Sequence, residues 1–213
     1  MIDKAKEIGC WKGWDFIHHG GRSVRFEPPT GAADLSESQR VQWVRGHAQE
    51  FGGDADRLVL SGHSAGAYNA AMLALNPRFL GTDRKAVLGL IGLAGPYDFL
   101  PFDGPVVQQA FGVIGDPVET QPVHYVGPGN PPAFLATGDK DEMVRPANSD
   151  SLASKLDAVG VQVERRRYPE VGHAGLVTAI AKPLRGRADR HGRLCRSGHQ
   201  ITSVEIQLSL SFG

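Results

Sequence analysis

A serine lies between two glycines directly after a short apolar segment. In the stretch LVLSGHSAGA, which begins at Leu58, Ser64 follows Gly62 by two residues and precedes Gly66 by two. Flanking glycines allow a tight strand-to-helix turn that side chains would obstruct, and such a turn exposes the serine hydroxyl at the edge of a sheet. The first N–H groups and the positive dipole end of the following helix could stabilise an oxyanion there. The pattern therefore predicts a nucleophilic serine.

Candidate partners for this serine follow it along the chain, first carboxylates and then a histidine. Asp139, Asp141 and Glu142 come after a predicted strand, and His173 lies in the loop after the next predicted strand. A serine hydroxyl is a weak nucleophile near neutral pH, so an imidazole must accept its proton and return it to the leaving group. A carboxylate fixes the tautomer of that imidazole and stabilises its cation. His63, beside the serine, is expected to shape the turn rather than to act as the base.

Strands and helices alternate along the chain, which predicts a parallel sheet covered by helices. The predicted helices cover residues 37–51, 66–75 and 149–160, and the predicted strands begin at residues 56, 85, 131 and 161. The carboxyl ends of parallel strands meet at one edge of a sheet, so the candidate residues are expected to come together there. A Pro- and Gly-rich excursion at residues 104–129 could cap a site at this edge.

Composition and charge favour a small-molecule ligand. The 213 residues are 41% hydrophobic, and 23 Lys and Arg balance 23 Asp and Glu, so no net field favours nucleic acid or an anionic membrane. Cys10 and Cys195 are far apart and lack metal-ligand spacing, which indicates neither a disulfide framework nor a zinc site and is typical of the reducing cytoplasm. The longest apolar run, residues 86–95, is too short to span a bilayer, and the first residues show no targeting pattern. The sequence leaves the oligomeric state open.

Four stretches, in order, give the chain a family resemblance. They are FGGDADRLVLSGHSAGA, GLAGPYDF, PPAFLATGDKDEMV and YPEVGHAGL. In them the chain resembles the α/β-hydrolase superfamily, specifically its acetyl esterase/lipase-like and kynurenine-formamidase-like carboxylesterases, over about residues 40–182. The resemblance implies one α/β-hydrolase domain over residues 1–213, with a mostly parallel sheet flanked by helices that lacks the first strands, and an atypical tail at 183–213.

The same resemblance implies roles for individual residues. Ser64 would be the nucleophile, His173 the base, and the backbone N–H of Ala65 a donor to the oxyanion. The implied activity is the cleavage of small carboxylic esters through an acyl-enzyme intermediate. Serine, histidine and carboxylate side chains with backbone donors supply this chemistry, so no metal or organic cofactor is implied.

The catalytic carboxylate is the least defined of these residues. By resemblance, the family pattern G-x-x-D-x-x-V falls on Gly138, Asp141 and Val144. This match favours Asp141 over Asp139 and Glu142 as the acid.

The N-terminal region allows two interpretations. Members of the family usually carry a His-Gly-Gly loop well upstream of the serine, and the candidate here is HHGG at 18–21, with Gly20 and Gly21 as further oxyanion donors. In one interpretation GWDFIHHGG is the true oxyanion strand and loop, and the next helix–strand unit is deleted. In the other, residues 3–17 are the family's later helix and strand, and the His-Gly-Gly is coincidental. A helical AKEIG before GWDFI favours the second.

The C-terminal region also departs from the family pattern. A closing helix begins at LVTAIAKPLRG, but Pro183 and the Arg-rich run after it break the pattern, and SVEIQLSLSF then alternates like a strand. Either the end of the coding sequence is altered or the tail forms an added edge strand. Aromatic residues do not interleave the basic run, so it does not indicate a nucleic-acid partner.

Two alternatives to an esterase remain at the level of sequence. The nearest enzymatic one is a formamidase or other amide hydrolase. The other is a non-catalytic remnant that keeps the serine, aspartate and histidine but lacks a complete oxyanion hole, and that binds a ligand or partner instead.

Overall fold

The computed structural model describes residues 36–176 and, before them, two short strands, β1 (Asp15–Ile17) and β2 (Ser23–Arg25). The predicted HHGG loop at 18–21 and the predicted tail at 183–213 lie outside the described residues. Both interpretations of the N-terminal region place a strand in GWDFI, and β1 lies there.

The remaining elements follow the predicted alternation. They are α1 (Glu37–His47), β3 (Leu58–His63), α2 (Ala65–Leu75), the short α3 (Pro77–Leu80), β4 (Val87–Leu93), α4 (Pro105–Phe111), β5 (Ala133–Gly138), α5 (Ala147–Ala158) and β6 (Val163–Tyr168). Short 3₁₀ segments lie at Ala48–Phe51, Gly81–Ala86, Pro117–Thr120 and Pro122–Tyr125. Within the part of the chain that the structure describes, no helix is both long and apolar enough to cross a bilayer.

The strands form one sheet in the order β2-β1-β3-β4-β5-β6. Strands β3, β4, β5 and β6 run parallel, as the alternation of strands and helices predicts. The N-terminal strands differ: β1 is antiparallel to both β2 and β3. Only residues 18–22 join β1 to β2, and so short a connection cannot make the crossover that parallel neighbours need. The sequence did not predict β2, because a strand of three residues shows no periodicity.

Helix α1 begins, and the 3₁₀ turn after it ends, where the sequence provides caps. The Ser36 hydroxyl accepts a hydrogen bond from the Gln39 N–H, and the Gln39 side chain accepts one from the Ser36 N–H, which forms a capping box. A 3₁₀ turn follows the helix, and it ends at Gly52, whose φ of 74° lies in the left-handed region. The chain then turns into β3, the strand that leads to the serine.

Alternate residues of the central strands enter two apolar clusters on opposite faces of the sheet. Leu90 and Leu135 belong to the larger cluster, which includes side chains of α1, α2 and α5, whereas Ile91 and Phe134 belong to the smaller. Helix α2 is buried from Ala67 to its end, because its alanine-rich sequence lets it pack close to the sheet. The larger cluster thereby fixes the helix that follows the serine against β3 and β4.

Candidate active site

Ser64 occupies a strained turn between β3 and α2. Its backbone has φ 57° and ψ −125°, a conformation that a residue with a side chain rarely adopts. The Ser64 N–H donates to the carbonyl oxygen of Leu93 on β4 at 2.8 Å, which ties the turn to the neighbouring strand. This geometry agrees with the strand–turn–helix context expected for a serine presented at the sheet edge.

Gly62, two residues before the serine, lies where the backbone packs too closely for a side chain. A Cβ on Gly62 would overlap the carbonyl group of Gly66 and would lie 2.6 Å from the backbone nitrogen of Ala67, and real Cβ atoms essentially never come within 3.0 Å of such atoms. The turn therefore folds back on itself so tightly that no side chain fits at position 62.

The first turn of α2 places a backbone N–H without a helical acceptor next to the serine. Ala65 is the first residue of the helix, so its N–H has no acceptor within the helix. The Ser64 carbonyl accepts from the Tyr68 N–H at 3.2 Å, whereas the Ser64 hydroxyl makes no capping bond. The hydroxyl and the Ala65 N–H thus lie at the same end of one helix.

The buried Asp141 carboxylate holds the imidazole of His173. One carboxylate oxygen accepts from the N–H groups of Met143 and Val144 at 3.0 and 2.9 Å, and the other accepts from His173 Nδ1 at 2.8 Å. Asp141 is only 3% exposed. This contact fixes the His173 tautomer with the proton on Nδ1 and leaves Nε2 as the basic nitrogen.

The other two candidate carboxylates lie elsewhere. Asp139 accepts a hydrogen bond from Arg167 Nε at 2.6 Å, and Glu142 is exposed. The structure therefore brings Asp141 to His173 and leaves Asp139 in a surface ion pair. Among the described residues, no three His, Cys, Asp or Glu side chains gather as ligands for a metal ion.

The loops after β5 and β6 are joined by backbone contacts. The Asp139 N–H donates to the Tyr168 carbonyl at 2.9 Å, and the Lys140 N–H donates to the Val171 carbonyl at 3.1 Å. The Val171 carbonyl also packs so closely on Gly138 that a Cβ there would overlap it. These contacts hold the carboxylate loop and the histidine loop as one unit.

His63 links the serine turn to the histidine loop, a contact that sequence alone does not reveal. Its Nε2 lies 2.9 Å from the carbonyl oxygen of His173, and the two rings lie with centroids 4.6 Å apart. Burial lowers the pKa of His63, and the hydrogen bond to the His173 carbonyl offsets only part of that effect. That His63 shapes the turn stays a prediction, and the structure adds that the side chain reaches across to His173.

A cluster of four aromatic rings lies beside the first turn of α2. Tyr68 packs edge-on against Phe99 and Phe111, with centroids 5.9 and 5.6 Å apart, and Phe102 contacts both phenylalanines. Tyr68 is buried and burial raises the pKa of its phenol, whereas the three phenylalanines are half-buried. Phe111 belongs to α4 in the predicted excursion, so part of that excursion does lie at the serine end of α2. The cluster combines distant segments, which is why no sequence period predicted it.

Asn148 on α5 supports the turn after β4. Its side-chain oxygen accepts from the N–H groups of Tyr97 and Asp98, both at 2.9 Å. The Tyr97 ring lies against Gly92 and Gly95, where Cβ atoms would overlap it. These contacts set the path of the chain from β4 toward the aromatic cluster.

The site combines a strained serine turn between a parallel strand and a helix with an aspartate after β5 that bonds to a histidine after β6. This arrangement is typical of the α/β-hydrolase class. The chain belongs to the BD-FAE family, whose family model matches residues 28–156.

Relatives and solved structures agree with this placement. The chain is 30% identical to "Esterase LipQ" of Mycobacterium tuberculosis over 72% of this chain and 40% of that protein. It is 29% identical to "Carboxylesterase NlhH" of the same organism over 71% of this chain and 54% of that protein. The chain thus spans only part of the length of these curated relatives.

The fold is similar to that of solved esterases. A truncated carbohydrate esterase from gut microbiota has a TM-score of 0.58 at 19% identity, covering 65% of this chain and 60% of that one. An acetyl ester-xyloside bifunctional hydrolase from Caldicellulosiruptor lactoaceticus has a TM-score of 0.56 at 21% identity, covering 72% of this chain and 60% of that one. At these identities the likeness shows the α/β-hydrolase fold.

Proposed function

We propose that the chain is a serine hydrolase that cleaves small carboxylic esters through an acyl-enzyme on Ser64. The observation that carries the proposal is the 2.8 Å hydrogen bond between His173 Nδ1 and the buried Asp141 carboxylate, at the edge of the sheet where the Ser64 turn lies. The names of the relatives, an esterase and a carboxylesterase, favour esters over amides as substrates.

The chemistry follows from the protonation states of the three side chains. His173 Nε2 accepts the Ser64 proton as the serine oxygen attacks the ester carbonyl carbon. The tetrahedral intermediate collapses with loss of the alcohol, which takes the proton from His173. Water then attacks the acyl-enzyme with the same histidine as base. The second tetrahedral intermediate collapses with loss of the Ser64 oxygen, which regains its proton from His173, and the carboxylic acid is released. Asp141 stays ionised and stabilises the imidazolium in both halves.

The negative oxygen of each tetrahedral intermediate needs preorganised donors. The Ala65 N–H is the proposed donor within the described residues, because it follows the nucleophile and has no acceptor in its helix. Gly20 and Gly21 stay candidates for the remaining donors and lie outside the described residues. Loss of one such donor typically costs about 10²- to 10³-fold in rate.

The first test is covalent labelling of the purified chain with an organophosphorus probe. We expect one adduct, located on Ser64 by peptide mass spectrometry, and no adduct in Ser64→Ala. Ser151→Ala is the matched control, because the Ser151 hydroxyl donates to Asp98 on the surface and takes no part in the proposed chemistry. A folded chain that is not labelled at Ser64 would exclude the serine hydrolase.

Turnover of short acyl esters is the second test. We expect Ser64→Ala to lower kcat at least about 10³-fold. Labelling without turnover would favour the non-catalytic remnant, because labelling needs Ser64, His173 and Asp141 whereas turnover also needs a complete set of oxyanion donors. Faster hydrolysis of an aryl formamide than of the matched ester would instead favour the amide hydrolase.

A further inference from the structure

His63 contacts the histidine loop from the side of the serine. It is the last residue of β3 and directly precedes Ser64, and its Nε2 lies 2.9 Å from the carbonyl oxygen of His173. The two rings are tilted by 49° with their centroids 4.6 Å apart. One side chain therefore spans the gap between the segment that carries the nucleophile and the segment that carries the base.

The chemistry of this contact fixes the state of His63. A carbonyl oxygen only accepts hydrogen bonds, so His63 Nε2 must carry the proton. Burial lowers the pKa of His63, which favours the neutral ring with its lone pair on Nδ1. Because Nε2 is occupied as a donor, it is not available to accept the serine proton.

We propose that His63 is a positioning residue that fixes the backbone of His173 relative to Ser64. The inference rests on the proposed function. Asp141 holds the His173 imidazole from the β5 side, and Lys140 holds the same loop through the Val171 carbonyl. His63 supplies a tether from β3, the strand of the nucleophile. The His173 loop is thus held from the β5 side and from β3. The sheet thereby sets the distance between His173 and Ser64.

The test compares two polar replacements that differ by one methylene. In His63→Gln the amide nitrogen reaches about as far as the ring Nε2 and can donate to the same carbonyl. In His63→Asn the shorter side chain cannot reach it. Misplacing reacting groups by about 1 Å can cost about 10²-fold, so we expect His63→Asn to lower the rate of Ser64 labelling and kcat by about 10- to 100-fold with little change in KM. His63→Gln should regain most of both rates.

A readout independent of activity follows the hydrogen bond between His173 and Asp141. In proton NMR the His173 Nδ1–H should give a downfield signal in the wild type and in His63→Gln. In His63→Asn the signal should broaden or disappear through faster exchange with water, at a temperature well below the thermal midpoint of all three proteins. Such a change separates positioning from a general loss of stability.

The outcomes are distinct. Equal labelling rates in His63→Asn and the wild type, or equal losses in His63→Asn and His63→Gln, would overturn the positioning role. If the wild type itself is not labelled at Ser64, the proposed function fails. In that case the NMR comparison still decides whether His63 holds the His173 loop.

Discussion

Asp139 and Asp141 are two residues apart and have opposite surroundings. Asp139 pairs with Arg167, whose side chain is half-exposed, whereas Asp141 is enclosed and accepts three hydrogen bonds, the last of them from His173. A surface ion pair contributes about 0–1 kcal/mol, while a carboxylate that fixes an imidazole tautomer affects each chemical step. The two residues thus form a natural pair of test and control.

Replacing Asp141 by Asn should abolish most activity. An amide at this position can present its N–H₂ group to His173 Nδ1 and so favour the wrong tautomer, which in serine enzymes of this type lowers kcat by about 10⁴-fold. The measurement is kcat for a short acyl ester. Asp139→Asn should stay within about threefold of the wild type, since it removes only the contact with Arg167. Comparable losses in the two variants would contradict the assignment of Asp141.

Gly62 and Gly46 make a second matched pair. A Cβ at position 62 would overlap backbone atoms of Gly66, so Gly62→Ala should distort the serine turn and remove labelling of Ser64. Gly46 lies in α1 with open space around it, so Gly46→Ala should keep labelling and raise the free energy of unfolding by about 0.5–1 kcal/mol. Chemical denaturation and probe labelling measure both effects. A Gly62→Ala protein that labels at the wild-type rate would mean that the turn relaxes.

At the level of elements, α5 supports the chain where it leaves β4. Asn148→Ala would leave the Tyr97 and Asp98 N–H groups without their acceptor, and the Tyr97 N–H is buried. We expect a loss of about 1–3 kcal/mol in the free energy of unfolding, measured by urea denaturation. Asn148→Asp is the control, because it keeps the accepting oxygen, and it should lose less. Equal losses of stability in the two variants would mean that the effect comes from the Asn148 side-chain N–H₂ group, which donates to the Arg145 carbonyl.

Much of this arrangement could be predicted from local sequence. The strands β3, β4 and β5 are apolar runs bounded by turn residues, and the glycines around Ser64 mark a tight turn. In the sequence only a family pattern favours Asp141 over Asp139. The physical reason is a side chain that turns back onto the N–H groups of Met143 and Val144, a contact that exists only in the folded loop.

The features that sequence could not predict depend on contacts between distant segments. The bond from His63 to His173 joins β3 to a loop after β6, and the aromatic rings come from α2, α4 and the chain after β4. Neither has a period or a spacing. The strand β2 is unpredictable for another reason, since three residues are too few to show alternation.

For the whole molecule, the half-buried His63 makes stability depend on pH. Burial lowers its pKa below 6.5 in the folded state, so the unfolded chain binds its proton first as the pH falls. The stabilisation is therefore full above about pH 6.5 and is lost progressively below it. We expect the free energy of unfolding of the wild type, relative to His63→Gln, to fall as the pH decreases below about 6.5. A constant difference would mean that His63 titrates alike in both states.

The serine turn also makes two neighbouring amides differ sharply in hydrogen exchange. The Ser64 N–H donates to the Leu93 carbonyl inside the sheet, while the next N–H, that of Ala65, has no acceptor in its helix. In the free protein Ser64 should exchange slowly and Ala65 much faster, measured by NMR after transfer to D₂O. An organophosphorus adduct places an oxygen where the oxyanion would lie, so it should slow Ala65 and leave Ser64 nearly unchanged. Unaltered exchange at Ala65 in the adduct would show that the negative oxygen is bound elsewhere.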